Sequence, residues 1–490
     1  MARTKKTAKR IESRREFLTV GILFVFLSIG FLKGELLHAQ QSNTLYLLHN
    51  VAQSNFLNPA VQSSCKLFIG LPVLGTVEAS YANSGFRYNQ LIDGNNIDLD
   101  AVYEALNRNN ILSLGALIYP FSVGYKLKDN YFTFSVSERF SADLTYPKKL
   151  PGLALYGNEQ FIGDVTRLRN TRISTRYVRE YSAGWSFDWD AFTTMGIRAK
   201  ALFGKVNLHT GVSRARIVSD PDTYVLDLGA GARINSSFPL EISQNPSGMI
   251  NDVSLPDINI MREIFNFRNP GLAFDLGIVH EYNELITLSA SILDLGFVLW
   301  TSDVNNLDAG IDYRYTGVSG TDLSNGNFLQ ELYDSVYNSV LLDLGSSSYL
   351  TLLPLQLYLG ASYQWKKNID LGLTIHNRII NRTIRSSITG SLTYSLQKKV
   401  QASLSWSYLN SSFLNLGAGL AYTGRGFQVY AVSDNFMGFI RPLDSKTIGL
   451  RFGMNLMLGC PGKKNFRSSE ISRAMVPCPP GQGERKKKKW

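Results

Sequence analysis

Cysteine and histidine are scarce in this chain. Three Cys and five His stand among 490 residues, and no Cys/His spacing matches a zinc site. Charged residues make up only 18%. No Gly-rich phosphate loop, metal cluster or carboxylate pair stands out, so no cofactor is expected. One long apolar run exists, at 17–32, and its 16 residues fall short of the ~20 that span a bilayer as a helix.

The net charge of +11 is misleading. Residues 1–39 carry +5 and residues 461–490 carry +7, while the stretch between holds 33 basic and 34 acidic groups. Basicity confined to a leader and a tail does not indicate a nucleic-acid-binding domain. The tail, 459–490, ends in Lys486–Lys489 and Trp490. Its plain reading is a solvated, disordered periplasmic end; contact with an anionic surface is the functional alternative.

The leader points to export. Seven Lys/Arg in residues 1–16, the apolar 17–32 stretch and Leu37-His38-Ala39 make a signal peptide of 1–39, cut after Ala39. An anchoring helix is the alternative. Arg14-Arg15 also looks like a twin-arginine signal. That route exports folded proteins, so for a membrane barrel the pair reads as part of an ordinary basic start.

What the chain has in abundance is period-two alternation. Ala402, Leu404, Trp406 and Tyr408 alternate with Gln401, Ser403, Ser405 and Ser407. Ile388, Gly390, Leu392, Tyr394 and Leu396 alternate with Ser387, Thr389, Ser391, Thr393 and Ser395. Such long segments in series, ending in aromatics, read as the lipid-facing wall of a transmembrane antiparallel β-barrel in an outer membrane. Tyr363, Trp365, Trp406, Tyr408, Tyr422 and Tyr430 fit aromatic girdles at the two interfaces.

Short polar turns alternate along the chain with longer connections at 84–110, 141–170, 209–271 and 299–348. Outer-membrane barrels keep short turns in the periplasm and long loops outside, which sets the orientation. Counting gives fourteen strands in a barrel of 74–458, an all-β fold with both ends periplasmic. Val212–Ile217 and Tyr224–Ile234 also alternate and would raise the count to sixteen. Gly211, Arg214 and Arg216 make a poor lipid face, so the pair is assigned to an extracellular hairpin.

Fourteen strands enclose more room than their own side chains fill. The expected occupant is 40–73, rich in apolar residues but interrupted by Pro59 and Pro72, and read as a hatch inside or under the barrel. Leu99, Val102, Tyr103 and Leu106 predict a short helix within 98–109, capped by Asp98 or Asp100, with a second candidate at 328–340. An oxidising periplasm permits one disulfide among Cys65, Cys460 and Cys478, with one thiol left over; Cys460 with Cys478 is the candidate pair, and the pairing stays open. His209 and Ser213 would share one face of a strand, as a barrel-embedded lipase requires. No Asn or Asp is poised to orient the ring, and no enzyme is expected.

Several segments carry a family resemblance. Asn43-Thr44-Leu45-Tyr46, Phe56-Leu57-Asn58-Pro59-Ala60, Phe68-Ile69-Gly70-Leu71-Pro72 and Leu293-Asp294-Leu295-Gly296-Phe297 resemble a group of uncharacterised Bacteroidota outer-membrane barrels. Asn58-Pro59-Ala60 behind the leader is also similar to the FadL fatty-acid channel superfamily and to barrel components of type IX secretion. The FadL likeness implies fourteen strands, an N-terminal hatch holding Asn58, Pro59 and Ala60, and diffusion of hydrophobic molecules. Thr447-x-Gly449-x-x-Phe452-x-Met454 resembles the closing-strand signal read by the barrel assembly machinery. The expected function is passive transport of a small, perhaps hydrophobic, solute past the hatch. The alternative is a structural or secretion-associated barrel that binds an envelope protein through its loops or tail.

Overall fold

The computed structural model describes residues 42–460 apart from short stretches, the longest being 255–265 and 316–339. The leader, the tail beyond Cys460 with its Cys478, and 328–339 of the second helix candidate lie outside the described residues.

The alternation closes into a ring. Strands β1 (Leu67–Gly70) and β2 (Val77–Asn83) form one interrupted stave, followed by β3 (Asn109–Leu127), β4 (Asn130–Pro147), β5 (Arg172–Asp188) and β6 (Thr193–Ser219). β7 (Leu226–Ser237) leaves the ring. The wall resumes with β8 (Pro270–Asn283) and β9 (Ile286–Trp300). β10 (Val304–Tyr315) and β11 (Val340–Gly345) again lie outside it. β12 (Tyr349–Leu352) and β13 (Leu355–Lys366) share a stave broken at Leu353-Pro354. β14 (Ile369–Ile380), β15 (Thr383–Leu396), β16 (Val400–Leu409), β17 (Ser412–Thr423), β18 (Phe427–Ser433) and β19 (Thr447–Leu458) complete it.

Every stave pairs antiparallel with its neighbour, and β19 pairs back to β1 and β2, with Leu67 opposite Leu458 and Val77 opposite Phe452. The ring has fourteen staves and no open edge, which satisfies every wall strand's backbone internally. β7 pairs with the outer half of β6 and with β10, and β10 pairs with β11. These strands form a sheet projecting past the ring, so the 212–234 hairpin is not in the wall. The strands within 299–348 were not foreseen; they are ordered by pairing with β7 rather than by any lipid face.

Residues 67–70 correct one expectation. Leu67–Gly70 pairs with both β3 and β19 and is wall, not hatch; Pro72 only interrupts the stave.

The faces sort as lipid would sort them. Leu404 is 62% exposed and Trp406 52%, whereas Ser403, Ser405 and Ser407 between them are buried. On β19, Leu450, Phe452, Leu456 and Leu458 point out and Arg451 and Asn455 point in. A polar inside with an apolar outside inverts a soluble sandwich. In loop 84–108, α1 (Leu99–Ala105) forms as expected, with Asp98 Oδ1 accepting from Ala101 N at 2.8 Å.

Candidate functional site

Residues 42–66 pack against the inward faces of the ring. Leu45, Tyr46, Leu48, Val51 and Leu57 cluster with Leu293, Tyr358, Tyr430 and Val432 from the wall. Tyr46 stacks on Tyr358 at 4.7 Å, and Phe56 stacks on Tyr119 at 4.2 Å. Apolar side chains here fold inward because the lumen, not the outside, is where the segment can escape water.

Its polar contacts reach most of the way around. Asn43 Nδ2 donates to Ser387 Oγ and Thr389 Oγ1 on β15, each at 2.9 Å. Thr44 N donates to Asp434 at 2.8 Å, and Thr44 Oγ1 meets Ser405 Oγ on β16 at 2.7 Å. Ala52 N donates to Gln428 Oε1 on β18. On the other side, Ser291 Oγ of β9 donates to Leu57 O at 2.6 Å, and Arg198 Nη2 of β6 donates to Asn55 O at 2.8 Å. Small polar wall residues, which sequence reading treated only as lumen lining, are therefore the docking sites of this segment.

Asn58, Pro59 and Ala60 sit against β6, β8 and β9. Asn58 Nδ2 donates to Ile278 O at 3.2 Å, and Asn58 Oδ1 accepts from Ala60 N at 3.0 Å, folding the tripeptide on itself. Two wall glycines permit this approach. A Cβ on Gly277 would lie 2.1 Å from Asn58 Oδ1, and one on Gly196 2.3 Å from Pro59 C.

The segment ends at a disulfide, and the partner differs from the one expected. Cys65 bonds Cys460, with Cα atoms 4.0 Å apart, because β1 and β19 pair and bring their flanking residues together. The pairing of Cys460 with Cys478 is thus overturned. Sequence separation hid the contact: the two stand 395 positions apart, and only ring closure joins them.

Beside the segment lies a charged network that sequence reading missed. Asp275, fully buried, accepts from Lys200 Nζ at 2.8 Å and Arg198 Nη1 at 3.2 Å. Asp294 accepts from Lys200 Nζ at 2.5 Å, Arg139 Nη1 at 3.0 Å and Gln356 Nε2 at 2.9 Å. Arg139 also pairs with Glu180 at 2.9 Å. Elsewhere Arg385 pairs with Asp143 at 3.2 Å, and Arg451 pairs with Glu78. A signal was present: Asp275 falls at the inward parity between Phe274 and Leu276, both exposed.

A cavity of about 100 Å³ opens onto this network, lined by Phe56 and Leu57 of the inner segment and by Arg139, Arg176, Asp294 and Arg378 among the wall residues. No group of three or more metal-ligating side chains occurs among the described residues. His209 lies on β6, with its backbone opposite Ser174 and Asn235. The Ser213 side chain falls outside the described residues.

A closed, internally filled fourteen-stranded barrel is the class this geometry defines. The chain belongs to the family of unknown function DUF5723, which matches residues 59–434. No curated protein is similar enough to count as a relative. Among solved structures it is similar to a Pseudomonas aeruginosa FadL homologue, with 11% identity, 87% of this chain and 100% of that one covered, and a TM-score of 0.36. The Pseudomonas putida toluene transporter TodX gives 12%, 81%, 90% and 0.35. The translocator domain of the Neisseria meningitidis autotransporter NalP gives 8%, 86%, 100% and 0.29.

Proposed function

We propose that this protein is an outer-membrane barrel that passes a small solute through its lumen, with the inner segment, 42–66, as the hatch. The outward band of Leu, Phe, Trp and Tyr suits lipid, and the ring leaves no edge to satisfy. One observation carries the reading. The segment is held to the lumen by side-chain hydrogen bonds and local packing, not by strand pairing, until Leu67. Such contacts break singly at modest cost, about 0.5–1.5 kcal/mol net each, so the segment can move while the ring stays whole.

The solute is polar rather than hydrophobic. Charges from five staves converge on the lumen beside the hatch, and an apolar molecule would have to desolvate them in passing. Single-channel recording in planar bilayers tests this. The full chain should show a low, gated conductance, and deletion of 42–64 with Cys460→Ser should give a large, steady one. Equal conductance in both forms sinks the hatch.

A second reading rests on the projecting sheet of β7, β10 and β11, which offers a surface beyond the membrane band for an envelope or secretion protein. Crosslinked recovery from native membranes, with and without that sheet, separates the two readings. Insertion itself would proceed through the barrel assembly machinery acting on β19.

A further inference from the structure

We propose that the lumen holds a binding site for a small oxyanion, a carboxylate or phosphate, between Arg176 of β5 and Arg378 of β14. The inference deepens the transport reading by naming the class of solute, and it rests on that reading only for the route by which the anion arrives.

Charge is the first argument. Six cationic side chains line the cavity against three carboxylates, Glu78, Glu180 and Asp294. The ion pairs here use those carboxylates, with Asp275 behind them, on Arg139, Arg198, Lys200 and Arg451. Arg176 and Arg378 are left over. Among the described residues neither makes a direct ion pair, although they are only 8% and 6% exposed; the charge of Asp143 reaches both at longer range. Buried cations without a counter-ion are costly, by several kcal/mol each, and persist where something else supplies the charge.

Open valences are the second. Arg176 Nε and Arg378 Nη1 have no hydrogen-bond partner and are sealed from solvent, so an anion engages them by turning the guanidiniums toward the cavity. Guanidinium N–H groups are suited to the planar or tetrahedral oxygens of carboxylates and phosphates.

Convergence is the third. Arg176 Nη2 donates to Leu352 O at 2.9 Å, at the break between β12 and β13. Two residues past that break, Gln356 lies directly opposite Arg378 in the β13–β14 register. Both guanidinium-bearing residues therefore flank the same stretch, 352–356, from staves far apart in the ring. On its other side Arg378 lies opposite Arg385, a like-charge cross-strand pair. Asp143 pairs with Arg385 and its charge also acts on Arg378, so two neighbouring guanidiniums share one carboxylate.

The cavity, about 100 Å³, has room for several waters, and so for a small oxyanion or such a group at the head of a larger solute.

The test is calorimetric titration of the detergent-solubilised full-length protein with sodium phosphate and, separately, sodium acetate at fixed ionic strength. Saturable, single-site uptake of at least one anion is expected. Arg176→Gln and Arg378→Gln should each weaken it at least tenfold, while Arg233→Gln, on the projecting sheet, should leave it unchanged. Phosphate as the tighter ligand assigns a phosphorylated solute; acetate as the tighter assigns a carboxylate. Where a Gln variant fails to fold, by loss of heat-modifiable gel mobility, the Lys variant replaces it and should bind with intermediate affinity. No saturable uptake of either anion, or uptake that neither arginine affects, overturns the site. Binding without flux through the wild-type barrel would end the transport reading and leave the site standing; flux without binding would do the reverse.

Discussion

Gln53 and Asn455 exchange two hydrogen bonds through their amides. Gln53 Nε2 donates to Asn455 Oδ1 at 2.5 Å, and Asn455 Nδ2 donates to Gln53 Oε1 at 2.8 Å, with both side chains fully buried. One residue belongs to the inner segment and the other to the closing strand, so the pair clasps the segment to the ring's seam. Deleting one amide strands the other, at about 1–3 kcal/mol. Gln53→Ala and Asn455→Ala should each raise the rate at which added protease cuts within 42–66. The double variant should fall short of the sum, by the pair's coupling energy. Strict additivity would show that the two amides do not act together.

Gly277 and Gly196 make a sharper case, because the wall gives way to the segment there. The backbone at Asn58-Pro59 occupies the space of the missing side chains. Gly277→Val adds bulk that only displacement of the segment can relieve, and overpacking of this kind costs about 1–3 kcal/mol. The expected outcome is a folded, heat-modifiable barrel with raised conductance. Gly390→Val is the control, since nothing lies within 4 Å of its Cβ position. A Gly277→Val channel as quiet as wild type would count against the hatch.

The disulfide predicts a thiol count. With Cys65 joined to Cys460, Cys478 is the third cysteine of the sequence and the one expected to react as a thiol. Alkylation of the denatured, unreduced protein followed by peptide mass mapping should label Cys478 alone. Label on Cys65 with protection of Cys478 would restore the pairing expected from sequence.

Protonation of His49 should loosen the segment. Its Nε2 is sealed from solvent without a partner, and burial pushes the ring's pKa down to about 4, against a bond to the Tyr46 backbone. The docked ring stays neutral while the released ring would take a proton near 6.5. Docking is therefore strongest above about pH 6.5 and weakens as pH falls toward 4, by at most about 3 kcal/mol. Asp434 pulls the other way. Burial raises its carboxyl to about 6, so it favours the docked state as pH falls. His49→Gln isolates the first effect: protease sensitivity of wild type should rise more between pH 7 and pH 4.5 than that of the variant.

The wall was legible because lipid outside and polar groups inside impose period two on each strand, and that signal is local. Gln401–Tyr408 carries it without interruption, and its faces fall as read. The interior was not legible, because its contacts join residues hundreds of positions apart. Asn43 meets Ser387 across 344 residues, and Cys65 meets Cys460 across 395. Leu67–Gly70 misled for a related reason. A four-residue strand is too short to show a period, and only its two neighbours reveal it as wall. The projecting sheet lacks a lipid face, so 304–315 and 340–345 gave no alternation of the kind that marked the ring.

Asp294 tests the charged network most directly. Its backbone is left-handed, with φ of 62°, at a point where the β8–β9 register shifts. Asp and Asn tolerate that conformation better than most residues. The turn aims the carboxylate at Lys200, Arg139 and Gln356, while its N–H donates to Asp275 at 2.8 Å. Asp294→Ala removes the charge and disfavours the backbone, leaving Lys200 to Asp275 and Arg139 to Glu180. Because each cation keeps one carboxylate, the cost falls below the about 3–5 kcal/mol of a buried pair broken outright. Asp294→Asn keeps the backbone and an acceptor but loses the charge, so it should cost less. In urea titration of the detergent-solubilised barrel the midpoints should therefore fall in the order wild type, Asp294→Asn, Asp294→Ala. If Asp294→Asn matches wild type, the network's charge is already supplied by Asp275 and Glu180. Two equally destabilised variants would mean the ion pairs dominate and the backbone contributes little.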